Sequence, residues 1–261
     1  MPSVDETRVG SGVGSGEVRT LVVDDNDVNR TLLVRMLEVL GLGADTAVDG
    51  LDAERALASR WYDAVLLDVR MPGEDGLAVT RWLRAREAGT ARRTRVIGVS
   101  AADSPDDRET CRVAGMDDFV AKPVELADLR RALAVYVVPG GVVPASAGGD
   151  VLDLARLTDL EEQLGEGDLL RETVRTYLTE LPRRRDALRA ALRDDDRDAV
   201  LQISHSLRSS SAMLGATELA QRCAEVEVAA REAAPEALSA LSDGVDSVAA
   251  KTGAALTRWL G

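Results

Sequence analysis

The stretch DAVLLDVRMPGEDG, residues 63–76, runs from an apolar segment into a turn. Residues 64–67 are all apolar, which is typical of a strand buried on both faces of a parallel sheet. The carboxylate of Asp68 follows at once, and the Pro and Gly beyond it favour a turn. We therefore predict a buried strand over 63–68 with an aspartate at its carboxyl end.

Short apolar runs of the same kind recur along the chain and alternate with segments of helical spacing. One helical segment lies at 28–40, and the last lies at about 124–137. Five strands that alternate with five helices indicate an α/β doubly wound domain, in which a five-stranded parallel sheet lies between helices. The predicted strands are 18–23, 44–48, 63–68, 95–100 and 118–121.

The pattern changes at VPGGVVPASAGGD, residues 138–150, whose Pro, Gly and small residues are typical of a linker. Beyond it, over 151–261, leucines recur at helical spacing, which predicts an all-α bundle of antiparallel helices. The Gly and Ser of residues 1–17 indicate a disordered tail. The predicted organisation is therefore a tail, an α/β domain over 18–137, a linker and a helical domain.

The composition disfavours several classes of protein. The chain has 32 Lys+Arg against 45 Asp+Glu, and this net charge of -13 argues against nucleic acid as a partner. The two cysteines, Cys111 and Cys223, lie far apart, which is typical of a reducing compartment. We find neither a signal peptide nor an apolar run of the ~18–20 residues that span a bilayer. We expect a cytoplasmic protein with no membrane partner.

Polar residues follow four of the five predicted strands. Asp24 and Asp25 follow the first, Asp68 ends the third, Ser100 ends the fourth, and Lys122 comes shortly after the fifth. Carboxyl ends of parallel strands meet at one edge, where ligands bind. Three carboxylates there repel one another and favour Mg²⁺, while a hydroxyl and an ammonium suit phosphoryl oxygens. Taken singly, these residues could be a helix cap, a turn aspartate, a loop serine and a surface lysine.

The motifs VVDDN, LLDVRMPGEDG, VSA and AKP occur in this order at the predicted strand ends. Through them, residues 18–137 resemble a response-regulator receiver domain, which implies a flavodoxin-like fold and a bound Mg²⁺. The resemblance implies that Asp68 is the phosphoacceptor. It also implies that Asp24 contacts Mg²⁺ through water, and that Phe119 is a switch residue that turns inward when Ser100 moves toward phosphate. A core phenylalanine is the alternative for Phe119. The implied direct metal ligands are Asp25, Asp68 and the backbone carbonyl of Arg70, and the implied phosphoryl contacts are Ser100 and Lys122.

The only histidine of the chain lies in QISHSLRSSSAMLGA, residues 202–216. On a helix, one stripe of this segment is apolar except for a serine, which predicts an inward face. His205 falls on the opposite side with Arg208 and Ser209, so we expect an exposed imidazole beside a guanidinium that can bind phosphate oxygens. A lone surface histidine is the alternative. The inward stripe comprises Ile203, Leu207, Ser210 and Leu214.

This segment resembles the motif of the histidine-phosphotransfer (HPt) domain, and the resemblance covers residues 151–261, with a four-helix bundle as the implied fold. It implies that His205 carries a phosphoryl group. Arg208 stands where that family usually has lysine, and Ser209 stands where glycine is usual. Ser209 could hinder docking of a receiver or add a donor to the phosphoryl group. The matching positions are His205, Leu207, Ser210, Ser211, Gly215 and Ala216.

Two further groups of charged residues complete the site predictions. Glu227 could lie beside His205 in a helical hairpin and accept from one ring nitrogen, which would leave the other nitrogen as nucleophile. A solvated glutamate is the equal alternative. We expect the arginine run 183–185 to be solvated charge.

We predict a phosphorelay protein that accepts a phosphoryl group from a sensor histidine kinase on Asp68 and carries one on His205 to or from a receiver aspartate. Its partners are then sensor kinases and other receiver or HPt proteins. It acts as a phosphotransfer intermediate that phosphorylates itself from a phosphodonor in the presence of Mg²⁺, and its sequence shows no Gly-rich phosphate loop for ATP. One alternative is that the helical domain is a docking or inhibitory module without phosphate; a DNA-binding regulator is a further alternative, disfavoured by charge. The linker reaches about 20 Å, which leaves transfer within one chain and transfer between chains both open.

Overall fold

The computed structural model describes residues 18–73, 75–101, 105–134, 136, 151–164, 168–232 and 235–261. The predicted tail at 1–17, the predicted linker at 138–150 and the end of the helix predicted at 124–137 lie outside these residues. No helix within these ranges is long and apolar enough to cross a membrane.

The first half of the chain is a parallel sheet with strand order β2-β1-β3-β4-β5. Each strand lies within one residue of its predicted limits, and the doubly wound α/β prediction is confirmed. The strands are β1 Arg19–Val23, β2 Gly43–Ala47, β3 Ala64–Asp68, β4 Arg95–Ser100 and β5 Asp118–Ala121. The helices between and after them are α1 Asp27–Val39, α2 Gly50–Ser59, α3 Gly76–Glu87, α4 Pro105–Ala114 and α5 Leu126–Ala132.

Both faces of this sheet are covered, because successive strand residues point to opposite sides. Val22 and Leu66 join the apolar cluster that contains α1 and α5. Leu21 and Leu67, one position away, join a second cluster with residues of α2, α3 and α4. This double burial explains why β3 reads as an uninterrupted apolar run, since all five of its residues are buried.

The second half is helical, as predicted, and its four longest helices form a bundle. They contact in the cycle α7–α8–α9–α10–α7, and the shorter α6 packs against α7 and α1. Their limits are α6 Leu154–Leu164, α7 Leu169–Arg193, α8 Arg197–Met213, α9 Thr217–Glu232 and α10 Pro235–Leu260.

A glycine ends α8 and lets α6 approach it. Gly215 has φ +74°, a left-handed conformation in which the Ala216 N–H reaches the Ser211 carbonyl at 2.8 Å. A Cβ atom at Gly215 would lie 2.9 Å from the Asp153 carbonyl oxygen. The start of α6 is therefore held against the end of α8, where the Asp153 N–H also donates to the Gly215 carbonyl.

The α/β half and the helical half share one interface, centred on α1. This helix contacts α6, α7 and α8 as well as its own sheet. One continuous apolar cluster crosses from the α/β half into the bundle. Members of that cluster include Val28, Leu32, Met36, Leu157, Leu160, Val174, Leu207 and Met213. The bundle thus lies against the edge of the sheet where the strands have their carboxyl ends.

Candidate functional site

Three carboxylates meet at the carboxyl ends of β1 and β3. Oxygen atoms of Asp24, Asp25 and Asp68 all lie within 4.8 Å of one another. Asp24 and Asp68 are buried, and Asp25 is partly buried. The prediction that the two strand ends converge here is confirmed, and the alternative that the aspartate pair caps α1 is wrong. Asn26 is the cap, since its side chain accepts from the Val28 and Asn29 N–H groups.

Lys122 lies between two of these carboxylates. Its Nζ is 2.8 Å from Asp24 Oδ2 and 2.6 Å from Asp68 Oδ2, and its side chain is 1% exposed. Burial lowers the pKa of Lys122, but the two carboxylates raise it by a larger amount. The pKa of Lys122 therefore lies above its usual range. Lys122 is therefore a buried ammonium of the site and not a solvated surface lysine.

One ammonium does not balance the charge of three carboxylates, and burial adds to the cost of keeping them ionised. Burial, opposed by Lys122 and reinforced by Asp68, raises the pKa of Asp24 to about 6. Burial and the neighbouring Asp24 also raise the pKa of Asp25. A set of close oxygen atoms with an excess of negative charge fits a hard divalent cation such as Mg²⁺. Asp24, Asp25 and Asp68 are the residues that could hold it.

A turn after β3 closes over Asp68. The Arg70 N–H donates to Asp68 Oδ1 at 3.0 Å. Gly76, at the start of α3, lies so close that a Cβ atom there would stand 2.2 Å from the Asp68 carbonyl oxygen. The glycine in this turn is therefore required by a close approach of two backbones. The Arg70 side chain is partly exposed, and its Nη2 lies 3.9 Å from Asp107.

Ser100 lies on β4, which pairs with β3, and Phe119 lies on β5, which pairs with β4. Ser100 ends β4 and is 2% exposed, and its backbone carbonyl accepts from the Lys122 backbone N–H at 2.7 Å. Phe119 is already buried on β5, and the Arg108 guanidinium carbon lies 4.9 Å from the centre of its ring. The structure thus brings Ser100 to the predicted strand end and places Phe119 in the apolar cluster that contains residues of α2, α3 and α4.

His205 lies on α8, as predicted, but it is not exposed. Only 9% of the residue is accessible, because the strand-end loops of the α/β half cover the face that we assigned to solvent. The imidazole lines a cavity of about 130 Å³ together with Asp25, Arg70, Met71 and Glu227. The predicted exposure is wrong since helical phase identifies a face without showing what packs against it.

Glu227 lies beside His205 and is not a solvated glutamate. Its Oε1 is 3.4 Å from His205 Nδ1, and its Oε2 is 3.4 Å from Arg208 Nη1. Burial raises the pKa of Glu227, but His205 and Arg208 lower it more, so the carboxylate keeps its charge. Among the described residues, neither ring nitrogen of His205 and no donor to Glu227 Oε1 forms a hydrogen bond, so the contact at 3.4 Å is a close approach of the two groups.

Arg208 and Ser209 both reach the α/β half. Arg208 Nη2 donates to the Ala101 carbonyl, just past β4, at 3.0 Å. Ser209 Oγ accepts from Asn29 Nδ2 at 2.7 Å. The Ser209 hydroxyl is therefore bonded to an amide of α1.

Sequence reasoning missed Arg184. The middle arginine of the run 183–185 is partly buried and bonds Ser206 Oγ, and its positive charge acts on Asp25. A signal was present, because Arg184 falls in helical phase with Leu181 and Leu188, which are both buried. The prediction of a fully solvated run holds for Arg183, which is exposed, and is wrong for Arg184 and for Arg185, which is partly buried and paired with Asp246.

Comparison with known proteins identifies two regions. Residues 20–134 match the family model of the response regulator receiver domain, and residues 172–251 match that of the Hpt domain. Sensor protein GacS of Pseudomonas syringae pv. syringae is 28% identical over 251 residues, which are 93% of this chain and 28% of that protein. Sensor histidine kinase RcsC of Escherichia coli is 40% identical over 120 residues, 46% of this chain and 12% of that protein.

The chain spans less than a third of the length of these relatives. Among solved structures, the receiver domain of sensor histidine kinase PA1611 from Pseudomonas aeruginosa PAO1, with a magnesium ion coordinated in its active site cleft, is 40% identical. The superposition covers 46% of this chain and 98% of the PA1611 receiver domain, with a TM-score of 0.42.

Proposed function

The chain contains a response regulator receiver domain followed by an Hpt domain, and from this premise we propose that it is a phosphorelay protein. Asp68 accepts a phosphoryl group, and His205 carries one to or from a receiver aspartate. The observation that carries the proposal is the pocket itself, where Lys122 bridges Asp24 and Asp68 and where Asp25 lines one cavity with His205. We assign residues 18–137 to the receiver domain and 151–261 to the Hpt domain.

The chemistry at Asp68 is phosphoryl transfer, which depends mainly on positioning and charge neutralisation. Lys122 contacts Asp68 directly and would hold an oxygen of the incoming group. Ser100 would hold a second oxygen, and Phe119 would keep its buried position once Ser100 is engaged. Asp24, Asp25, Asp68 and the Arg70 carbonyl are the proposed holders of Mg²⁺, which when bound would offset the charge of carboxylate and phosphoryl oxygens.

The chemistry at His205 follows from its two nitrogens. Glu227 faces Nδ1 and would hold the proton there, which leaves the Nε2 lone pair free to attack phosphorus. Arg208 fixes Glu227 and would supply positive charge near the phosphoryl group. We propose sensor histidine kinases as donors, and receiver or Hpt proteins as further partners. The chain itself is a phosphotransfer intermediate and not an ATP-dependent kinase.

The test uses the full chain with acetyl phosphate and Mg²⁺. We expect a base-labile, hydroxylamine-sensitive acyl phosphate that Asp68→Asn abolishes, and an acid-labile phosphohistidine that His205→Gln abolishes. Asp45→Asn is the matched control, because Asp45 on β2 bonds Tyr62 at 2.8 Å and lies outside the pocket. Full labelling of the Asp68→Asn variant, or no labelling of the wild-type chain, would refute the proposal.

One observation favours a second candidate, in which the Hpt domain docks without carrying phosphate. The receiver covers the His205 face and leaves only 9% of the residue exposed. A bound but unphosphorylated Hpt domain would then act as an inhibitory module for the receiver or for a kinase. Phosphohistidine in the experiment above would exclude this function. Its absence, with Asp68 labelled, would support it.

A further inference from the structure

We propose that the docking partner of this Hpt domain is the receiver domain of the same chain, and that the phosphoryl group moves between Asp68 and His205 within one molecule. The inference rests on the proposed function and goes beyond it, because a phosphorelay protein can equally exchange phosphoryl groups only with other proteins. Four features of the interface support it.

The first is a pair of buried amides at the start of α1. Asn26 is 1% exposed and Asn29 is 0% exposed, and a buried amide costs free energy unless it is hydrogen-bonded. Asn29 Nδ2 donates to the Asp24 carboxylate at 3.1 Å within the α/β half, and helix α8 supplies further partners. Asn26 Nδ2 donates to the Ser206 hydroxyl at 3.1 Å and to its carbonyl at 3.2 Å, and Asn29 Nδ2 donates to Ser209 Oγ at 2.7 Å.

The second feature is the identity of residue 209. The resembling motif usually has glycine at this position, and glycine has no side chain with which to reach Asn29. In this chain the hydroxyl of Ser209 is 2% exposed and meets the α1 amide. The side chain that departs from the motif is therefore the one that fits this particular receiver, which is the pattern expected of a specificity contact.

The third feature is a polar rim around an apolar centre. Arg156 of α6 is 7% exposed, bonds Glu125, and donates to the Val124 carbonyl at 2.8 Å. On the other side, Arg35 of α1 donates to the Leu164 carbonyl at 3.0 Å. Between them runs the apolar cluster that both halves share. An apolar centre with hydrogen bonds at its edge is the anatomy of a specific interface.

The fourth feature is the position of the reacting groups. His205 and Asp25 line the same cavity, and Asp25 belongs to the carboxylate group that includes Asp68. In the forward step, the Nε2 lone pair forms a P–N bond as the P–O bond to Asp68 breaks. The electrons of that bond stay on the Asp68 carboxylate, next to Lys122. The imidazole keeps its Nδ1 proton, and the charge of Glu227 balances the imidazolium.

A kinetic experiment on the full chain separates transfer within one molecule from transfer between molecules. Acetyl phosphate labels Asp68 and releases acetate, and the appearance of phosphohistidine is followed at several chain concentrations. We expect a first-order rate constant that does not depend on concentration. A tethered partner has a millimolar effective concentration, so at micromolar chain a mixture of Asp68→Asn and His205→Gln should be about a thousandfold slower.

A rate that rises in proportion to chain concentration, or a mixture as fast as the wild type, would overturn the proposal. Either result would still leave both residues labelled, so the phosphorelay function would stand. If neither residue is labelled, the proposed function itself fails. The two failures are therefore distinguishable in one experiment.

A second test perturbs the rim and leaves the reacting groups in place. Arg156→Ala should lower the rate of phosphohistidine formation several-fold and speed amide hydrogen exchange in α1, while Asp68 is still labelled. Arg185→Ala is the matched control, because it breaks an arginine–carboxylate pair of 2.8 Å with Asp246 inside the bundle. Arg35→Ala on the opposite rim provides an independent variant. If both rim variants behave like the control, the proposed docking of the Hpt domain on the receiver domain of the same chain is wrong.

Discussion

Replacement of Lys122 by methionine is the sharpest test of the buried pocket. Methionine keeps an unbranched side chain but removes the ammonium that lies 2.8 Å from Asp24 and 2.6 Å from Asp68. Because the lysine side chain is 1% exposed, water does not replace the lost partner. Removal of one member of a buried ion pair costs about 3–5 kcal/mol, and we expect a loss of this size at pH 8 in EDTA.

The loss should depend on pH with a defined sign. Burial is the largest cause that raises the pKa of Asp24, and the charge of Asp68 adds to it. Lys122 opposes both, and the resulting pKa rises from 3.8 to about 6. Since the folded pKa lies above the unfolded one, the folded state binds the proton more tightly, and stability falls as pH rises through this window. The shift corresponds to about 3 kcal/mol. Without Lys122 the protonated form of Asp24 contributes more to stability. The difference in the free energy of unfolding between variant and wild type should therefore be smaller at pH 5.

The assay is urea unfolding followed by circular dichroism at pH 5 and pH 8. Lys251→Met, at an exposed lysine of α10, is the control and should match the wild type. Addition of Mg²⁺ should restore part of the stability of the Lys122→Met variant, because a cation that binds only the folded state stabilises it. A loss below about 1 kcal/mol at pH 8 would refute the reasoning, as would a gap that widens at pH 5.

Three further predictions concern other parts of the molecule. Gly76→Ala should lower the free energy of unfolding by about 3 kcal/mol in urea titrations, because its Cβ atom would lie 2.2 Å from the Asp68 carbonyl oxygen. Glu227→Gln should slow phosphohistidine formation at His205 about tenfold, since a contact with a charged group is worth about 1.5 kcal/mol. Cys223 is 0% exposed, and burial raises the pKa of its thiol to about 12, so Ellman's reagent should modify it only as the bundle unfolds.

Controls and a contradicting result accompany these predictions. Gly43→Ala adds a Cβ with nothing within 4 Å and should be neutral; equal losses for both glycines would contradict the close-approach argument. Glu225→Gln alters an ion pair with Arg222 on α9 and should leave transfer unchanged. Rapid modification of Cys223 in native buffer would show that the bundle opens without unfolding.

Much of the pocket could be predicted from sequence because its residues follow strands of one parallel sheet. The topology brings Asp24, Asp68 and Lys122 together whatever the intervening helices do. The contact between domains could not be predicted, since it depends on which face of α1 remains open once the sheet is covered. His205 was therefore placed on the correct helix face, and yet its burial was missed.

The scarcity of lysine in this chain turns one buried side chain into a local probe. Lys122 and Lys251 are its only lysines, and the second is exposed. An amine-acylating reagent should modify Lys251 at once, whereas Lys122 must first leave its carboxylate partners and meet solvent. The ratio of the two modified peptides in a mass spectrum, followed over time, would then measure how often the acidic pocket opens. The same footprint, taken before and after addition of a divalent cation or a phosphodonor, would report how each alters that opening without any introduced label.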